Sequence, residues 1–295
     1  MKKTVVLISK YNNYLESVKY SFKNVIELDG EVSLEERDKL INEIEKFDNV
    51  ILIDYIYVYR YLLQNVEKNY KWIITFDISC LSMLGNKLAY KTLMEYYDRK
   101  LVNEIAVLDD NLYELLKKSK YNVSKISFDI NKKFKKVKND SVGVIGHDYD
   151  PLDNYYNVLT AVKLANVKVN YAGKTNATKN FIDFFDMNSS SKENDYDVIK
   201  SSSLVVAASF ANLNIENILI AMDNGVIAIV GNTSLFDKYK KLKNYLVLNS
   251  DDDVNEISLK LSEAKKHSKE IFEEYKRFRK EFSNESLKQI KSFIA

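Results

Sequence analysis

Ser203–Gly231, SLVVAASFANLNIENILIAMDNGVIAIVG, reads as strand, helix, strand. Leu204 to Ala208 and Val226 to Val230 are short and rich in β-branched residues, as strands buried on both faces are. Between them Ile215, Ile218, Leu219 and Met222 recur at helical spacing. Asn214 stands where a helix is capped, and Gly225 where a left-handed residue ends one. A right-handed crossover makes the two strands parallel neighbours in one sheet. The loop Ser209 to Asn214 then leaves the carboxyl end of its strand and feeds a helix N-terminus. In an open parallel sheet ligands bind at such ends, and unpaired backbone N–H groups meet anions there.

The rest of the chain repeats that alternation. Strands are expected at Thr4–Ser9, Val25–Leu28, Val50–Asp54, Trp72–Phe76, Ile105–Leu108 and Val123–Phe128. Helices are expected near 13–22, 33–47, 81–100 and 110–120, with Ser33 and Glu36 at capping-box spacing. A polar, lysine-rich stretch, Asn131 to Asp140, reads as a linker. Alternation then resumes with strands at Val142–Ile145 and Val167–Tyr171, and helices near 152–165 and 179–185. A polar tract, 188–194, precedes the opening stretch. A short helix near 235–243, a strand at Tyr245–Leu248 and a long charged helix from about Val254 close the sequence. Such alternation predicts an α/β chain of two Rossmann-like domains facing across a cleft.

Composition narrows the function. At 295 residues, 46% apolar and 29% charged, the chain has room for two ordinary globular domains. Lysine and arginine number 44 against 42 acidic residues, a net charge of +2, which gives no electrostatic case for nucleic acid. MKKTVVLISK is too short an apolar run for a signal peptide, and no stretch reaches membrane-spanning length, so a cytoplasmic protein is expected. One cysteine, Cys80, and two histidines, His147 and His267, leave no disulfide and no conventional zinc site. No metal or other cofactor is expected. No G-x-G-x-x-G follows a strand, which disfavours a dinucleotide enzyme.

The second half, VGVIGHDYDPLDNYYNVLTAVKLANVKVNYAG followed by SLVVAAS and NIENILIAMDNGVIAIVG, resembles the nucleotide-sugar domain of family-4-like GT-B glycosyltransferases. Gly146, Ala161, Gly173, Ala221, Met222 and Gly225 fall where that family's pattern has the same residue types. VSKISFDI resembles its last N-terminal strand, and a final helix near 286–294 is placed like the one that returns to the first domain. The resemblance implies a GT-B fold with domains 1–137 and 138–282, and residues 283–295 packing back on the first. It implies transfer of a sugar from a nucleotide-sugar to a glycan, protein or lipid acceptor, with retention of configuration, in glycan biosynthesis. The implied donor site comprises Gly146, His147, Gly173, Lys174, Asn212, Asn214, Ile215, Glu216 and Asn217.

Departures from the pattern open a second reading. His147 stands in place of the family's arginine and Asp153 in place of its lysine, the two cations that grip the donor's diphosphate. Lys174, then Lys179 and Lys10, are the cations available to substitute. The family's paired glutamates align with Asn212 and Ile220, which leaves Glu216 as the nearby carboxylate. A glutamate in a first helical turn also serves the helix dipole alone. His147 fits equally as a phosphate or hydroxyl ligand and as a loop residue bonded to Asp148 or Asp150. Asp77 is a candidate base toward the acceptor, or simply a helix cap. His267 reads as a surface residue. With Glu216 and Asp77 the only catalytic candidates, the alternative is a catalytically degenerate GT-B homologue that binds or chaperones another glycosyltransferase. Self-association and peripheral membrane contact stay open.

Overall fold

Near-continuous apolar runs make strands that are buried on both faces, and these assemble into two all-parallel sheets. The computed structural model describes residues 3–75, 87–135, 140–146, 148–149, 153–173, 175–209 and 215–295. The chain divides into two units, Met1–Ile130 with Ser283–Ala295, and Asn131–Phe282.

In the first unit Thr4–Ser9 (β1), Val25–Leu28 (β2), Asn49–Ile53 (β3), Asn69–Ile74 (β4), Glu104–Val107 (β5) and Val123–Lys125 (β6) lie in the order β2-β1-β3-β4-β5-β6. Leu15–Ser21 (α1), Leu34–Ile44 (α2), Val58–Asn65 (α3), Lys87–Asp98 (α4) and Asp110–Lys118 (α5) connect them. Period-two alternation sorts each strand onto two faces. Val5, Leu7, Val50, Leu52, Trp72, Ile74, Ile105 and Val107 meet residues of α2 to α5. Val6, Ile8, Ile51, Ile53, Ile73 and Ala106 meet Val18 and Phe22 of the α1 segment, with Phe128, Ile290 and Phe293. Residues 283–295 therefore complete the second face. Lys71, buried in β4, fastens them: its ammonium donates to the Phe293 carbonyl at the helix end and pairs with Glu104 at 3.1 Å.

In the second unit Val142–Val144 (β7), Val169–Tyr171 (β8), Ser189–Ser191 (β9), Leu204–Ala207 (β10) and Ile227–Val230 (β11) take the order β11-β10-β7-β8-β9. The helices are Tyr155–Leu164 (α6), Asn176–Phe184 (α7), Asp195–Lys200 (α8), Ile215–Asp223 (α9), Lys240–Leu246 (α10), Val254–Lys266 (α11) and Ser268–Ile294 (α12). Gly225, at φ +77°, ends α9 as its position predicts. Val226 N–H donates to the Ala221 carbonyl at 2.9 Å and Gly225 N–H to Met222 at 3.1 Å, the bond pair of a left-handed helix stop.

Several expectations change. The strand expected at Tyr245–Leu248 is the end of α10 followed by one bridge, Val230 to Val247. Ser189–Ser191 is a strand although it carries no apolar residue, because β8 offers it a free edge. His267 is half-buried, stacked on Tyr245 with ring centres 4.3 Å apart, and it marks the break between α11 and α12. The expected linker is held to the second unit. Asn224 donates to the Lys132 carbonyl and accepts from Phe134 N–H, both at 2.8 Å, while Lys132 lies over the Tyr196 ring.

Candidate functional site

The strand order of the second sheet reverses between β7 and β10. Chain connections leave these neighbours in opposite directions and open a crevice above their carboxyl ends. The loop after β7 begins at Gly146, the loop after β8 at Ala172 and Gly173, and the loop after β10 at Ala208 and Ser209. Register pairs Val144 with both Val206 and Tyr171, so the three loops rise side by side from one edge.

Two glycines there are required by geometry. Gly146 has φ +129°, a conformation closed to other residues, and the Asp153 side chain lies 3.0 Å from where a Cβ would sit. At Gly173 an added Cβ would meet Thr178 Cγ2 at 2.7 Å. Asp148 locks these loops together. Its Oδ2 accepts from Thr175 N–H at 2.8 Å, from the Thr175 hydroxyl at 2.7 Å and from the Thr178 hydroxyl at 2.7 Å. Asp148 is 8% exposed and Thr178 is fully buried. Its three donors thus tie the loop after β7 to the start of α7.

The first turn of α9 borders the same edge. Ile215 opens the helix, Glu216 is buried, and Asn217 donates from Nδ2 to Asp195 Oδ2 of α8 at 3.3 Å. At the far end of α9, Asp223 accepts from Arg279 Nε at 2.9 Å on both oxygens and from the Tyr275 hydroxyl at 2.8 Å. Beyond β11, Asp251 accepts from Asn232 N–H at 2.6 Å, and burial raises its pKa.

Of the residues singled out in sequence, Gly146, Gly173, Ile215, Glu216 and Asn217 share this carboxyl edge. His147, Lys174, Asn212, Asn214 and Asp77 lie outside the described residues. Asp148, Tyr155, Thr178 and Asp195 also belong to the site region. They carry no sequence signature: the partners of Asp148, Thr178 and Asp195 stand tens of residues away, and the burial of Tyr155 shows only in the fold.

The first sheet has its own reversal, between β1 and β3. There Asp54, with φ +50°, accepts from Thr75 N–H at 2.7 Å, the Thr75 hydroxyl at 2.5 Å and Asn12 Nδ2 at 2.7 Å. Desolvation raises the Asp54 pKa against the pull of these bonds. The cluster joins the loops after β1, β3 and β4.

Sequence comparison finds no matching family model and no matching curated protein. Solved structures match along the whole chain. A sucrose-phosphate synthase from Thermosynechococcus elongatus is 10% identical, with 97% of this chain and 95% of that one covered and a TM-score of 0.65. HepE from Anabaena, in complex with UDP and glucose, is 8% identical over 100% and 98% of the two chains, with a TM-score of 0.64. A glycosyltransferase from Rickettsia africae is 12% identical over 98% and 96%, with a TM-score of 0.61. At such identities the likeness is one of fold.

Proposed function

We propose that this chain, which has the GT-B fold of glycosyltransferases, transfers a sugar from a nucleotide-sugar donor to an acceptor. One observation carries the reading: a full-length fold match to a protein solved with UDP and glucose, in a chain whose second sheet reverses at two glycine loops beside a helix start. Gly146 and Gly173 let the Asp153 and Thr178 side chains pack against the backbone of the two loops that would frame the ligand. Ile215, Glu216 and Asn217 would border its diphosphate or sugar from the first turn of α9, where helix N–H groups lack intrahelical partners. His147, Lys174, Asn212 and Asn214 complete the donor site on the sequence pattern. Retention of configuration and a glycan, protein or lipid acceptor belong to the same reading, with Glu216 and Asp77 as the carboxylates to test.

Melting the protein with UDP-, GDP- and CDP-sugars tests it. Ligand at about 100 times its Kd adds about 2.7 kcal/mol of stability, a rise of several degrees. A flat response across the whole set refutes donor binding.

A second reading, a degenerate homologue that binds another glycosyltransferase, is favoured by one contact. The Asp153 carboxyl stands 3.2 Å from where a Cβ on Gly146 would sit, an acid where the resembling family has a cation. Co-purification with a full-length glycosyltransferase, in the absence of any donor response, is its signature.

A further inference from the structure

Tyr155 stands in the first turn of α6, at the carboxyl edge of the second sheet. It is 2% exposed, and its hydroxyl has no hydrogen-bond partner among the described residues. Buried hydroxyls are nearly always paired, and one that is not weakens the fold. The ring by itself is well accommodated, edge-on to Tyr156 at 5.9 Å, so phenylalanine would serve packing as well.

The surroundings indicate what the hydroxyl is for. Burial raises the Tyr155 pKa, and the Asp148 and Asp195 carboxylates raise it further, so the oxygen keeps its proton and lies in the field of both acids. Asp148 belongs to the loop after β7 and Asp195 to the first turn of α8, so the hydroxyl shares the strand-end region that the glycine loops enclose. Two carboxylates therefore stand around this hydroxyl. They suit a neutral hydroxyl, whose oxygen accepts one bond while its own proton is donated to an acid.

We propose that the Tyr155 hydroxyl is a ligand-binding group that donates to a sugar-type hydroxyl of the bound nucleotide-sugar. The proposal rests on the glycosyltransferase reading. A hydroxyl of this chemistry is carried by both the transferred sugar and the ribose, and the test separates the two.

Tyr155→Phe in the full-length chain removes one oxygen. Apo melting temperature and calorimetric titration with UDP-glucose, GDP-mannose, UDP and GDP are compared with the unaltered protein. The variant should melt at the same temperature or higher, because an unpaired polar atom is gone. It should bind the recognised nucleotide-sugar about 3- to 10-fold more weakly, the effect of one hydrogen bond. Weakening for the nucleotide-sugar alone places the bond on the transferred sugar, and equal weakening for the free nucleotide places it on the ribose. Unchanged affinity for every probe, or a lower apo melting temperature, overturns the proposal. If the unaltered protein binds none of the four, the glycosyltransferase reading fails and takes the proposal with it, an outcome distinct from a failure of Tyr155 alone.

Discussion

Asp148→Ala removes the acceptor that joins the loop after β7 to the start of α7. Three donors lose it at once: Thr175 N–H, the Thr175 hydroxyl and the Thr178 hydroxyl, at 2.7–2.8 Å. A bond to a charged acceptor is worth about 1.5–3 kcal/mol. The three share one oxygen, and two of the donors are hydroxyls that can rotate toward other acceptors, so their values do not add. A net cost of about 3–4 kcal/mol is expected, set by the buried Thr178 and the fixed Thr175 amide. Asp148→Asn keeps an oxygen in place but loses the charge, and should cost about 1–2 kcal/mol. Urea unfolding measures both, and hydrogen exchange at the Thr175 amide locates the change. Donor affinity should fall in step, because the turns at Gly146 and Gly173 lose their common anchor. An alanine variant less than about 1 kcal/mol weaker, with native exchange at Thr175, would refute this account of the site.

Arg279→Ala leaves the Asp223 carboxylate, at the negative end of α9, with the Tyr275 hydroxyl and the Lys133 ammonium at 4.0 Å; a loss of about 1–3 kcal/mol is expected. A double-mutant cycle with Asp223→Ala should recover part of that loss, and strict additivity would argue against coupling. Lys71→Met keeps the side-chain stem but removes the donor to the Phe293 carbonyl. It should cost about 1–3 kcal/mol, with faster hydrogen exchange confined to residues 283–295. Asp54, whose folded pKa is raised, binds a proton in the native state at pH values where the unfolded chain has released it. Stability should therefore fall as pH rises from the ordinary carboxylate range through that raised value. Asp54→Asn, which tolerates the positive φ, should remove this part of the slope, and an unchanged pH–stability curve would count against it.

Legibility in the sequence followed the range over which each signal acts. Ser33 and Glu36 announce a capping box, and both bonds form, at 3.3 and 2.9 Å. Strands with β-branched cores, such as β1, β2 and β10, lie within a residue of their expected ends. Val58–Asn65 is hard to read as a helix because tyrosines crowd both sides of it and blur its apolar face. Ser189–Ser191 has no apolar residue to reveal it, since only a neighbouring edge makes it a strand. Tyr245 and Val247 are β-formers, yet Tyr245 lies in α10 and stacks on His267. The two glycine loops could be read because a glycine at a strand end has few other uses. The bonds of Asp148 span 27 and 30 residues, and the vacancy at the Tyr155 hydroxyl exists only once the chain has closed around it.

The way α12 ends has a consequence for synthesis. Ile290 and Phe293 leave the ribosome long after Val6 and Ile8, yet they cover the face that those residues begin. Residues 131–282 form their unit without interruption, so they can mature while the earlier-made segment still waits for its final turn of helix. Until residues 283–295 emerge, Val18, Phe22 and Phe128 lack the cover of Ile290 and Phe293, and a chaperone would find that face open.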